Sequence, residues 1–169
     1  RQAQRFAAIG RQAGDDAGDI GLCEGRGTGE KAVHHDGQRQ HVVFGGKAHE
    51  IWDVSDPANP SLITRLESGR DTHKNWWECD TGIAYLVSGV EGWRTPRMTE
   101  VFDLSDPAKP IKIRDFGLPG QEPGATGAVP TYLHGMISLG PKAKRIYFGY
   151  GTNKGGVVQI IDREKLLNG

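Results

Sequence analysis

The chain has little cysteine, no surplus charge and no long apolar run. Cys23 and Cys79 are its only two cysteines in 169 residues. Two thiols make neither a disulfide framework nor a metal-type Cys spacing; they read as two unrelated thiols or as one disulfide. Lys and Arg together number 21, Asp and Glu together 21, and the formal net charge is zero. That balance gives no electrostatic ground for a nucleic-acid partner or an anionic membrane surface. No run approaches the roughly 18 apolar residues of a membrane-spanning helix, so no transmembrane segment is expected. A Gly-rich phosphate loop and a serine nucleophile elbow are both missing. So is a secretory signal at the start, and the chain opens on Arg1 rather than Met, as a fragment would.

Glycine, by contrast, is abundant at 25 residues, with 9 prolines. Strand-like runs lie between them, the composition of a turn-rich all-β protein. Two segments are nearly the same. Ile51-Trp52-Asp53-Val54-Ser55-Asp56-Pro57-Ala58-Asn59-Pro60 returns 50 residues later as Val101-Phe102-Asp103-Leu104-Ser105-Asp106-Pro107-Ala108-Lys109-Pro110, with six of ten positions identical. A fixed period of about 20–50 residues marks a solenoid, a propeller or an array. Physically the segment is strand, turn, strand. Ser55 or Asp56 can cap the N–H groups that follow, and Pro57 suits the first position of a helical turn. Pro60 keeps that turn short.

The units around these echoes share a plan. Residues 83–89 and 145–151 each form a strand ended by glycine, and 42–46 takes the same part in the first unit. Each is followed by a strand that ends on aspartate, at Asp53, Asp103 and Asp162. One more strand precedes each pair: 72–78 in the second unit, 133–139 in the third and, in degenerate form, Ala32-Val33-His34 before Asp36-Gly37 in the first. Three strands, an Asp-Pro turn and a fourth strand make the four-stranded antiparallel blade of a β-propeller. The expected boundaries are 31–70, 71–117 and 131–169. Residues 1–30, with few large apolar side chains, read as a poorly ordered tail or a non-native leader. Rings of this kind close with about 4–8 blades. The ring is therefore expected to be incomplete, its remaining blades absent from this chain.

The repeated strand and turn resemble the LVIVD-repeat family, whose blade strands end in Asp-Val-Ser-Asp-Pro. The resemblance covers roughly residues 42–169, and the third unit departs from it, since Arg163-Glu164-Lys165 follows Asp162. It implies a β-propeller, commonly bacterial or archaeal, often periplasmic, secreted or at the cell surface. It implies no single activity. The expected function is a binding or scaffold module with its ligand at the channel mouth. The alternative is a metal-dependent oxidoreductase that holds a transition metal on channel histidines in the full-length protein.

His73 and His134 enter the first strand of successive units, so they are expected to approach a common axis. They are the candidate metal ligands, with His34 or His35 as a possible third. The other reading is that each histidine hydrogen-bonds its strand to a neighbour. Asn75, Trp76 and Glu78 follow His73 as further channel candidates. Adjacent Trp76 and Trp77 must face opposite sides of a strand. Glu78 reads as an acid or base near the channel or as an exposed turn carboxylate. Trp93, Arg94 and Arg97 form a loop set that either binds an anionic or planar ligand or packs over a neighbouring blade. Asp53, Asp56, Asp103, Asp106 and Asp162 recur with the architecture and are expected to accept backbone N–H bonds in the turns.

Overall fold

A computed structural model describes residues 21–24, 30–35, 48–53, 58–59, 61–67, 70–78, 80–151 and 155–169. The fold is all-β. The first sheet holds β1 (Gly21–Glu24), β2 (Glu30–His35), β3 (Ala48–Asp53) and β4 (Ser61–Glu67), in that order. The second holds β5 (Trp76–Trp77), β6 (Ile83–Ser88), β7 (Met98–Asp103) and β8 (Ile111–Phe116). The third holds β9 (Leu133–Ser138), β10 (Arg145–Tyr150) and β11 (Val157–Asp162), and the short helix α1 (Arg163–Asn168) follows. All pairings are antiparallel between sequence neighbours. Among the described residues no helix is long and apolar enough to cross a membrane.

The echo is structural to the level of single residues. β3, β7 and β11 all end on the repeated aspartate. The register of β3 on β4 shifts between Ile51 and Trp52, and that of β7 on β8 shifts between Val101 and Phe102, the same place in both copies. Each shift leaves one extra residue on the outer strand, Ile63 and Ile113, as a β-bulge does. In the third unit the Ser-Asp-Pro turn is replaced by α1. Asp162 caps it by accepting from Lys165 N at 3.2 Å.

The first unit is ordered differently from the expectation. Ala32-Val33-His34 lies in β2, the second strand of its sheet, and not in the first. The first strand is β1, which falls inside the stretch expected to be a tail. The expected strand 42–46, the Asp36-Gly37 turn, Asp56 and Cys79 lie outside the described residues. Gly21–Glu24 was illegible as a strand because it has one large aliphatic side chain and no alternation to read.

The second sheet is the middle layer, and alternation along its strands divides its side chains. Ile83, Tyr85, Val87 and Val101 pack with Leu133, Met136, Ile146, Phe148 and Tyr150 of the third sheet. Ala84, Leu86, Phe102 and Leu104 face the other way, onto Ile51, Ile63 and Leu66 of the first sheet. Burial on both faces explains why all six residues of β6 are buried. Trp76 and Trp77 split in the same manner, Trp76 toward the third sheet and Trp77 toward the first. Between sheets, β1 approaches β5, and β9 approaches both β5 and β6.

Candidate functional site

The registers give the stack two distinct ends. Asp53, Asp103 and Asp162 pair with Lys31, Ile83 and Arg145 and mark one end. At the opposite end β2 stops on His35 across from His49, and β6 stops on Ser88 across from Met98. The connections 89–97 and 117–132 also leave there. The segment 70–75 runs along this end as an extension of β5: Gly89 N donates to Arg70 O at 2.7 Å and His73 N to Val87 O at 3.1 Å.

At this end the structure brings His73 and His134 together. Their ring centroids are 4.9 Å apart in an edge-to-face arrangement. The approach is possible because His134 is followed by Gly135, where a Cβ would stand 3.1 Å from Lys74 Cβ. Both rings are half-buried. Asn75, two residues after His73, is held by a fork of hydrogen bonds. Its Oδ1 accepts from Val87 N at 2.9 Å, and its Nδ2 stands 3.2 Å from Nδ1 of His49. The first bond fixes which amide atom is oxygen, so Nδ2 donates and His49 Nδ1 accepts. The neutral His49 imidazole then carries its proton on Nε2. His49 is fully buried, between the first and second sheets. Successive pairs of sheets are thus joined at this end by imidazoles, His49 with Asn75 and His73 with His134. Among the described residues no three His, Cys, Asp or Glu side chains are close enough to hold a metal.

Glu78 lies elsewhere. It sits at the aspartate end of β5, where Glu78 N donates to Ile83 O at 2.8 Å, and it is buried rather than an exposed turn carboxylate. Its Oε2 accepts from Arg163 Nη2 at 2.7 Å and Thr81 Oγ1 at 2.6 Å. Its Oε1 accepts from Tyr85 OH at 2.9 Å, Arg163 Nε at 3.0 Å and the Ser138 hydroxyl. Burial works to raise its pKa, but the bonds from Arg163, Ser138, Thr81 and Tyr85 outweigh it and hold the carboxyl below its ordinary value. Arg163 is shifted upward, first by its bond to Glu78. Tyr85 is pushed up by burial and by the Glu78 charge. This cluster joins the second sheet, β9 and α1 and is turned inward.

The loop set has partners within the chain. Arg94 donates from Nη1 to Gly120 O at 2.9 Å and from Nη2 to Gly127 O at 2.6 Å, tying loop 89–97 to loop 117–130. Arg97 stacks over the Tyr132 ring at 5.5 Å. Trp93 lies against Gly117, where a Cβ would come within 2.8 Å of its ring. Buried Gln121 pins the second loop by accepting from Leu118 N at 2.9 Å and donating to Thr131 O at 2.7 Å. The aspartates accept backbone bonds: Asp103 from Ser105 N at 2.8 Å and Asp106 from Ala108 N at 3.2 Å.

Sequence reading passed over His49 and Arg163. His49 precedes the repeat by two residues, but Thr99 stands there in the second copy, so no echo marks it. Arg163 stands where the third unit departs from the repeat, and that departure was the available signal. No protein-family model matches the chain, and no curated protein matches it.

Proposed function

We propose that this chain is part of a propeller-type, LVIVD-repeat-like binding or scaffold module whose ligand site lies at the histidine end of the stack. Three antiparallel sheets with neighbouring first strands, repeated bulges and aspartate-ended third strands support the architecture. The observation that carries the site is the meeting of His73 and His134 at 4.9 Å. Polar side chains between first strands take the place of apolar ones that would pack there without a desolvation cost of about 1–3 kcal/mol per group. Half-buried imidazoles have the mixed donor and acceptor character that suits a polar ligand at the mouth of the channel. The tied loops 89–97 and 117–130 wall that end and hold its shape.

The same pair favours a second reading, a metal-dependent oxidoreductase in the full-length protein. Imidazole is a common ligand of late transition metals, and two rings from successive sheets are two ligands of a larger set. One experiment separates the readings. The full-length protein and its His73→Ala/His134→Ala variant are compared for bound metal and for thermal stability. The binding-module reading expects the same metal content in both and a lower Tm in the variant. Metal that is present in the parent and lost from the variant overturns it in favour of the enzyme.

A further inference from the structure

Asn75 can serve its two partners in one way only. Its Oδ1 accepts from Val87 N at 2.9 Å, which turns its Nδ2 to His49 Nδ1, 3.2 Å away. A backbone N–H has no lone pair to offer, so Val87 fixes the orientation of the amide. His49 therefore meets Asn75 with a bare Nδ1. A protonated imidazole carries a hydrogen on both nitrogens and would set donor against donor there. Turning the amide over would give His49 an oxygen but would set Nδ2 against Val87 N. Neither orientation serves Val87 N and a protonated His49 together.

The surroundings add to the cost of that proton. His49 is 0% exposed, and β6, which carries Val87, is buried along its whole length. A charge placed there gives up its water. On its own sheet His49 lies across the ladder from His35 on β2 and from Leu66 on β4. Its neighbour Glu50 turns to the other face by alternation and accepts there from Arg65 Nη1 at 2.5 Å. From the second sheet, Glu100 turns to this junction by alternation from Phe102. That carboxylate already has its partners, accepting from Ser88 Oγ at 2.5 Å and from Lys112 Nζ at 2.9 Å. Lys74, next to Asn75 in sequence, runs the other way, against Gly135 of the third sheet.

We propose that His49 and Asn75 form an acid-sensitive clasp between the first and second sheets, closed while His49 is neutral and released when it is protonated. The clasp stands on these two residues and Val87, and not on the reading of His73 and His134 as ligand groups. The unfolded chain takes up a proton at His49 as the pH falls through the ordinary imidazole range, near 6.5. The folded chain takes it up only by letting the clasp go. The unfolded state thus binds more protons below that range, so stability is full above about pH 6.5 and falls below it. For one excluded proton the folding constant drops by up to about tenfold per pH unit. This window lies above that of the carboxylates, which titrate near about pH 4.

The test is the urea midpoint of the full-length protein between pH 8 and pH 5, for the parent, His49→Asn and Asn75→Asp. The parent midpoint is expected to fall below about pH 6.5. In His49→Asn an amide oxygen that takes no proton in this range stands in for Nδ1, so the fall is expected to shrink. In Asn75→Asp one carboxylate oxygen accepts from Val87 N and the other from a protonated His49. The fall is expected to shrink there too, although the replaced residue does not itself titrate in this range. A parent midpoint that stays level overturns the proposal, as does a fall that either variant keeps in full. Imidazole 15N shifts of the parent give a reading that needs no variant to fold. His49 is expected to carry its proton on Nε2 and to stay neutral through the ordinary imidazole range. A proton on Nδ1, or protonation near pH 6.5 with no loss of stability, overturns the proposal.

Discussion

Glu78 and Arg163 show what one pair of residues does for this fold. Their side chains are 3% and 6% exposed and 2.7 Å apart, so neither charge has water to fall back on. Removing one partner of such a pair leaves the other buried and unmatched, at a cost of about 3–5 kcal/mol. Glu78→Gln is therefore expected to lower the urea midpoint strongly, and Arg163→Met by a similar amount. Glu78→Gln combined with Arg163→Met is expected to cost less than the two single changes together, because no orphaned charge remains. Equal additive losses in equilibrium unfolding would reject that account. The pH dependence has a definite sign. The folded pKa of Glu78 lies below its ordinary value of 4.5. Its contribution is therefore present above that ordinary value and is lost as pH falls through the lower folded value. The parent should lose stability steeply in that acid window, and Glu78→Gln should show a flatter acid limb. An identical acid limb in the two proteins would show that Glu78 does not govern it.

At the scale of the element, the unit is a ladder closed by an aspartate and a turn. Gly82 illustrates how tight that turn is. It has a φ of 77°, and a Cβ there would lie 2.7 Å from the backbone of Ser105. Leu104 N donates to Gly82 O at 2.8 Å, so the two turns at this end are held against each other. Gly82→Ala is expected to cost at least about 1–3 kcal/mol from the backbone conformation alone, read as a lower denaturation midpoint. A neutral Gly82→Ala would contradict the close approach. Asp162 does in the third unit with a helix what Asp103 does with a turn. Asp162→Ala removes the cap of α1, a loss of about 0.5–2 kcal/mol. It should also loosen Arg163, the next residue, in hydrogen exchange. The repeated strands, their aspartate ends and the turn bonds were legible in the sequence because each rests on local chemistry written twice. The pairing of His73 with His134 was legible for the same reason, since both enter the first strand of their units. The order of the first sheet was not. Its first strand lacks an apolar pattern, and Asp36-Gly37 drew the reading toward a hairpin one strand too late. Partners joined across sheets were not legible either: Glu78 and Arg163 lie 85 residues apart, and no period links them.

At the scale of the molecule, the layers differ in how much of the chain covers them. The second sheet is packed on both faces, by the first sheet through Ala84, Leu86 and Phe102 and by the third through Tyr85, Val87 and Val101. The third sheet is covered on one face only, with Tyr147, Val158 and Ile160 open on the other. Local opening of a strand exposes whatever its two faces bury, so protection of its amides follows the number of covered faces. The ladder of β6 has partners on both sides, β5 and β7, whereas β11 pairs with β10 alone in its sheet among the described residues. Both effects point the same way. Native-state hydrogen exchange is therefore expected to rank β6 and β7 slowest and β11 faster. A β11 as slow as β6 would mean that burial on both faces does not set the order of opening in this stack.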